Sequence, residues 1–172
     1  MPFPLRIHVG DLLRAPGTSR RVSLTAPVSG LTVAQGGVVD DRAVAVHGRL
    51  DALSDAVFFS GTVEGEYRLE CVRCLGAVEE SFSLPADELF GIHITEDSDE
   101  GYPLRHDEID LEPLVRDVVL LGIPLHPLCR TECAGLCAHC GADLNSSQCG
   151  CAEEEGHPAL AALAELWQSR SS

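Results

Sequence analysis

Six cysteines fall within 23 residues of the C-terminal part of the chain, spaced Cys129-x3-Cys133-x3-Cys137-x2-Cys140-x8-Cys149-x-Cys151. A stretch this rich in sulfur and this poor in apolar periodicity cannot bury a core of its own, so a covalent or coordinate link must hold it in shape. Two further thiols, Cys71 and Cys74, form another Cys-x2-Cys pair upstream. Compartment decides between disulfides and metal, because cytosolic thiols stay reduced and secreted ones oxidise. The N-terminus, MPFPLRIHVGDLLRAPGTSRR, shows no charged leader followed by an apolar run and a small-residue cleavage site, which predicts a cytoplasmic chain. Metal coordination is therefore the favoured reading.

Cys137-Ala138-His139-Cys140-Gly141 has the form of a knuckle. Two intervening residues and a following Gly let backbone N–H groups point at sulfur while both thiolates face one ion, a geometry suited to tetrahedral Zn²⁺ at about 2.3 Å from each sulfur. Spacing leaves the second pair open. Cys129 and Cys133 could complete the tetrahedron from one side, Cys149 and Cys151 from the other, or the six could share two ions. Cys71 and Cys74 could also meet two of the C-terminal thiols, since eight cysteines make two sets of four. The expectation is one Zn²⁺ or two, in closed four-thiolate sites with no open position for a catalytic water. His139 reads as a spacer, His126 and His157 as reserve ligands, and His8 and His47 as structural residues.

Charge narrows the partners. All 12 basic residues are Arg, set against 27 acids, for a formal net charge of −15. Such a polyanion gains nothing from counterion release on nucleic acid unless its arginines cluster. Residues 1–21 do gather Arg6, Arg14, Arg20 and Arg21 against Asp11 alone. Arg73, between two cysteines at a turn, is a further partner-binding candidate, with a guanidinium suited to phosphate or carboxylate. No apolar run approaches the ~20 residues that a membrane span requires.

Alternation predicts strands over 5–9, 21–28, 43–48, 56–69 and 77–84, with a helical turn at 11–14. Residues 87–112 hold ten acids and only Arg105, which reads as a solvated loop. Leu111, Leu114, Val115, Val118, Val119 and Leu121 then recur at helical spacing behind Asp110 as N-cap, predicting a helix over 111–122 stopped by Pro124. Pro158–Gln168 reads as a short terminal helix. The expected architecture is α+β: a curved antiparallel meander with one packed helix over residues 1–124, and a zinc-stapled tail over 125–172.

No G-x-S-x-G, G-x-x-x-x-G-K-[ST], H-E-x-x-H or G-x-G-x-x-G occurs, and the absence of Lys removes lysine-based mechanisms. The reading is therefore a protein that is not an enzyme and takes no small-molecule substrate. The alternative is a thiol-redox or metal-handling protein working through Cys71 and Cys74.

Four segments in one order carry a family resemblance: Val9-Gly10-Asp11-Leu12-Leu13-Arg14 with Pro16-Gly17, Leu69-Glu70-Cys71-Val72-Arg73-Cys74-Leu75, Ile109-Asp110-Leu111-Glu112-Pro113-Leu114-Val115-Arg116-Asp117, and Pro124-Leu125-His126-Pro127-Leu128-Cys129. Together they resemble the YceD family of large ribosomal RNA subunit accumulation proteins, and the tail from Gly135 to Cys151 looks like its cysteine-rich form. The resemblance implies a bacterial cytosolic protein that supports 23S rRNA levels, with 23S precursor or a basic ribosomal protein as partner. It also implies that Cys71, Arg73 and Cys74 in the shared hairpin are better functional candidates than the tail cysteines.

Overall fold

Apolar–polar alternation in two long segments, Ala56–Glu70 and Ala77–Gly91, makes the central feature of the fold, a β-hairpin paired along its whole length. The computed structural model describes residues 5–34, 36–38, 42–95, 98 and 100–151. It divides into two units, Met1–Cys133 and Ala134–Ser172. Residues 125–133 thus fall with the first unit. The predicted helix at 158–168 lies outside the described residues, as does His157.

In chain order the first unit contains β1 (Arg6–His8), α1 (Gly10–Leu13), β2 (Ser19–Pro27), β3 (Thr32–Val33), β4 (Gly36–Gly37) and β5 (Ala43–Ala52). There follow β6 (Ala56–Glu70), β7 (Ala77–Gly91), β8 (Tyr102–Pro103), β9 (Glu108–Asp110) and α2 (Glu112–Gly122). The sheet is mostly antiparallel and is not a closed barrel. One edge of β6 pairs first with β5, over Val57–Glu64, and then with β4, at Arg68–Leu69; β7 takes the other edge. β2 flanks β5, β8 joins β7 in parallel, and β1 with β9 forms a separate two-stranded sheet.

Glycine lets these strands come together. A Cβ at Gly37 would lie 2.0 Å from the Leu31 carbonyl oxygen, so only a bare Cα admits this edge to the sheet. On the inward face, Gly48 and Gly61 are cross-strand neighbours and the fully buried ring of Phe59 lies against them. Phe82 covers Gly65 and stacks on Tyr67 at 4.3 Å between ring centroids.

Helix α2 buries Leu114, Val115 and Val119 against β6 and β7. Its N-cap is Leu111 and not Asp110. Asp110 still serves the helix start, because its Oδ1 accepts the Glu112 N–H at 3.0 Å. At the other end Tyr67 Oη donates to the Val119 carbonyl at 2.9 Å, filling an acceptor that a helix terminus leaves open. Burial, followed by the charge of Glu80, pushes that phenol up to about 12, so it keeps its proton.

The acidic segment departs from its predicted loop. Asp87 and Glu88 belong to β7, which continues to Gly91, and residues 102–103 and 108–110 are strands. Asp87 occupies an outward position, where a charge keeps its water, while Ala86 and Phe90 point into the core. His106 and Asp107, both at positive φ, make a two-residue turn between Arg105 and Glu108.

Tyr67→Phe removes the donor from the Val119 carbonyl and should lower unfolding free energy by about 1–2 kcal/mol. Gly61→Ala drives a Cβ to 2.2 Å from the His47 carbonyl oxygen and should cost about 1–3 kcal/mol. Urea denaturation followed by circular dichroism measures both.

Candidate metal centre

A tight turn joins β6 to β7, and it carries the first cysteine pair. The N–H of Cys71 donates to the Gly76 carbonyl and that of Leu75 to the Cys71 carbonyl, both at 2.9 Å, with Leu75 at φ 59°. The tail repeats the pattern. Cys137 N–H donates to Ala142 at 2.8 Å, Gly141 N–H donates to Cys137 at 2.9 Å, and Gly141 has φ 73°. The two turns are the same knuckle. In one the left-handed position is filled by Gly, which has no Cβ to clash there; in the other it is filled by Leu.

Each knuckle meets a second pair. Cys71, Cys74, Cys129 and Cys133 form one group and Cys137, Cys140, Cys149 and Cys151 the other, with all ligand atoms of a group within 4.8 Å of one another. In the first unit, Sγ–Sγ separations are 3.8 Å for Cys71–Cys133 and 3.6 Å for Cys74–Cys129. None of the eight cysteines is in a disulfide. The segment 127–133 is further tied to the hairpin by the Val72 N–H, which donates to the Pro127 carbonyl at 3.0 Å. Arg73 Nη1 donates to the Cys133 carbonyl at 2.9 Å. In the second unit Asp143 and Asn145 shape the return: Asp143 Oδ1 accepts the Asn145 N–H, and Asn145 Oδ1 accepts the Ala134 N–H. His139 contributes only its backbone N–H, 3.4 Å from Cys137 Sγ, and His126 is exposed and outside both groups.

The thiols of each group are driven apart in acidity. Backbone N–H groups of Cys129 and Cys74 pull Cys71 down to about 6. Cys137 falls to about 6 under the N–H groups of Cys140 and His139. The neighbouring sulfurs and burial push Cys129 and Cys151 up to about 12. One thiolate is thus prepared in each group, while a second sulfur holds its proton for want of a counter-charge. Four convergent sulfurs with backbone donors fit a soft or borderline divalent cation, so each group can hold a metal ion.

The arginines do not join this centre as one surface. Arg73 sits in the β6–β7 turn. Arg21 on β2 lies opposite Arg49, which pairs with Ser60 of β6. From Ser60 to Glu70 the strand runs roughly 33 Å. Arg20 pairs with Asp11 at 3.2 Å and donates to the His8 carbonyl at 2.7 Å, and Arg14 follows α1 as an exposed residue. Sequence reasoning missed a cleft of about 740 Å³ between the 98–110 region and α2, lined by Arg6, Tyr102, Arg105, Glu108, Asp110 and Asp117. Its lining side chains serve one another: Arg6 pairs with Asp110, and Tyr102 Oη donates to Asp117. No helix among the described residues is long and apolar enough to cross a membrane.

The family model described as "Large ribosomal RNA subunit accumulation protein YceD" matches residues 59–167, which include most of the hairpin, α2 and both thiol groups. An uncharacterized protein of Mycobacterium leprae is 35% identical over 115 residues, covering 64% of this chain; the chain spans 50% of that relative's length. One from Mycobacterium bovis is 30% identical over 174 residues, covering 95% of this chain and 81% of the relative. A protein of Arabidopsis thaliana named "Large ribosomal RNA subunit accumulation protein YCED homolog 1, chloroplastic" is 38% identical over 72 residues, 40% of this chain and 22% of its own. No solved structure matches the chain significantly.

Loading with Co²⁺ at pH 7.5 should take up two equivalents per chain, read from thiolate charge-transfer bands, with Cys71→Ser and Cys137→Ser each losing one. Uptake should release protons, since Cys129 and Cys151 hold theirs up to about 12. Affinity should fall as the pH drops through about 6, where Cys71 and Cys137 gain protons as well. Without metal, the depressed pair adds stability that is complete above the ordinary 9.0 and lost as pH falls through about 6.

Proposed function

Because the chain belongs to the YceD family, we propose that it is a non-catalytic factor supporting 23S rRNA accumulation and large ribosomal subunit assembly. On this reading it acts in the cytoplasm of a bacterium, engages 23S precursor or a basic ribosomal protein, and needs no small-molecule substrate. The observation that carries the proposal is the extent of the family match, which spans most of the knuckle hairpin, α2 and the paired cysteines as one block. The printed name of the Arabidopsis relative points the same way.

Zn²⁺ is the ion we assign to each thiol group, held by Cys71, Cys74, Cys129 and Cys133 in one and by Cys137, Cys140, Cys149 and Cys151 in the other. Bound there, it would neutralise the converging thiolates and supply folding free energy. Four protein ligands leave no position for a reacting water, so its part is structural. Arg14, Arg20, Arg21 and Arg73 are the proposed partner contacts. Arg73 spends one N–H on Cys133 and keeps four more for a partner.

The second reading, thiol-redox chemistry at Cys71 and Cys74, draws on the depressed acidity of Cys71. Burial opposes it: Cys71 is 0% exposed, whereas a thiolate that attacks a substrate disulfide must be reachable.

Deletion of the gene should lower the 23S:16S ratio and cause 23S precursor to build up or be degraded, as measured by northern blot, with restoration by the intact gene. An unchanged ratio overturns the proposal. Rapid alkylation of native, metal-loaded protein at Cys71 would instead favour the redox reading.

A further inference from the structure

Six of the twelve arginines are ion-paired with the chain's own carboxylates. Arg6 pairs with Asp110, Arg20 with Asp11, Arg42 with Glu66, Arg49 with Asp51, Arg68 with Glu79 and Arg116 with Glu112. Arg14 and Arg21 form no ion pair among the described residues, in a chain with 27 acids to choose from. Arg21 stands directly opposite Arg49 in the β2–β5 ladder, both exposed on the outward face of the sheet. Like charges in that position repel and weaken the pair. Asp51, at 3.0 Å from Arg49 Nε, answers only one of the two.

The surroundings of this pair are polar and open. The next row along the same face is Ser23, His47 and Thr62, with Ser23 Oγ 3.0 Å from His47 Nδ1. Ser60 lies beside Arg49, and the row on the other side carries Asp51 and Phe58, an aromatic ring 37% exposed. Asp87 ends the arginine row and Glu64 lies two positions beyond Thr62 on β6, so the basic character is concentrated at the β2–β5 side.

We infer that this open face of β2, β5 and β6 binds single-stranded RNA, with Arg21 and Arg49 on a phosphate and Phe58 stacking a base. This deepens the rRNA reading proposed above and rests on it. A phosphate between the two guanidiniums would turn a repulsive cross-strand pair into a bidentate anion site. The hydroxyls and imidazole of the adjacent row can reach ribose or base edges, and base stacking on an aromatic ring tolerates any sequence. Stacking on Phe58 needs an unpaired base, which a single strand offers and an A-form duplex keeps within its own stack, so single strands are favoured.

The test uses full-length, zinc-loaded protein and a fluorescein-labelled 12-nucleotide single-stranded RNA, titrated by fluorescence anisotropy between 50 and 200 mM salt. The intact protein should bind the single strand more tightly than a duplex of equal length. R21Q/R49Q should bind at least tenfold more weakly and lose about 0.7 from the slope of log K against log salt, the amount for the one phosphate that the pair holds. Phe58→Ala should weaken binding several-fold with the slope unchanged. The melting temperature of R21Q/R49Q should change little, because the repulsion relieved at Arg21 is set against loss of the exposed Arg49–Asp51 ion pair. Absence of binding at 50 mM salt, or equal affinity of R21Q/R49Q, overturns the inference. In cells, R21Q/R49Q should fail to restore the 23S:16S ratio of the deletion strain. Full restoration overturns the RNA face while leaving the accumulation role standing. Failure to restore with RNA affinity intact also overturns it, and assigns the face to a protein partner.

Discussion

Four sulfurs crowded within 4.8 Å of one another present a charge problem that the polypeptide alone only half solves. Backbone N–H groups stabilise one thiolate in each group, but a second negative sulfur a few ångströms away would meet the full repulsion of the first. A bound divalent cation reverses the sign of that interaction. In the first unit its effect would reach well beyond the sulfurs, because Cys129 and Cys133 anchor the segment following α2 to the β6–β7 turn. There the Val72–Pro127 and Arg73–Cys133 hydrogen bonds add backbone continuity. An ion here would close a loop of more than fifty residues, a link of the kind that constrains an unfolded chain most.

The sheet divides its two faces by the same economy of shape. Inward, Gly48, Gly61 and Gly65 make room for the rings of Phe59 and Phe82, so aromatic bulk is buried without forcing the strands apart. Outward, the β2–β5 side carries the Arg21–Arg49 pair, while the β6–β7 hairpin carries Glu64, Glu66, Glu70 and Glu79. A net charge of −15 therefore does not describe every surface. The field near an arginine pair is set by neighbours within about a Debye length of 8–10 Å, not by the total.

Much of the strand content was legible because alternation is local: side chains of period two read as strands before any pairing is known. The acidic segment misled, since charges at 87 and 88 look like a loop when counted, yet β7 runs through both, with Asp87 at an outward position, Glu88 half-buried and Phe90 turned inward. The knuckles were legible for a similar local reason, the Cys-x2-Cys turn being complete within six residues. Leu75 at a left-handed φ was not, because nothing in its own chemistry asks for that conformation.

What the sequence by itself determined is the inventory: two Cys-x2-Cys knuckles with four more thiols to serve them, an amphipathic helix ended by Pro124, and an arginine-rich start to an acidic chain. Only the tertiary structure decided the partnerships. Cys71 and Cys74 meet Cys129 and Cys133, and Arg21 faces Arg49, because strand register and the path of the chain after α2 bring together residues far apart in sequence. Spacing along the chain governs turns, but closure of long loops depends on the packing of everything between their ends, which no local pattern records.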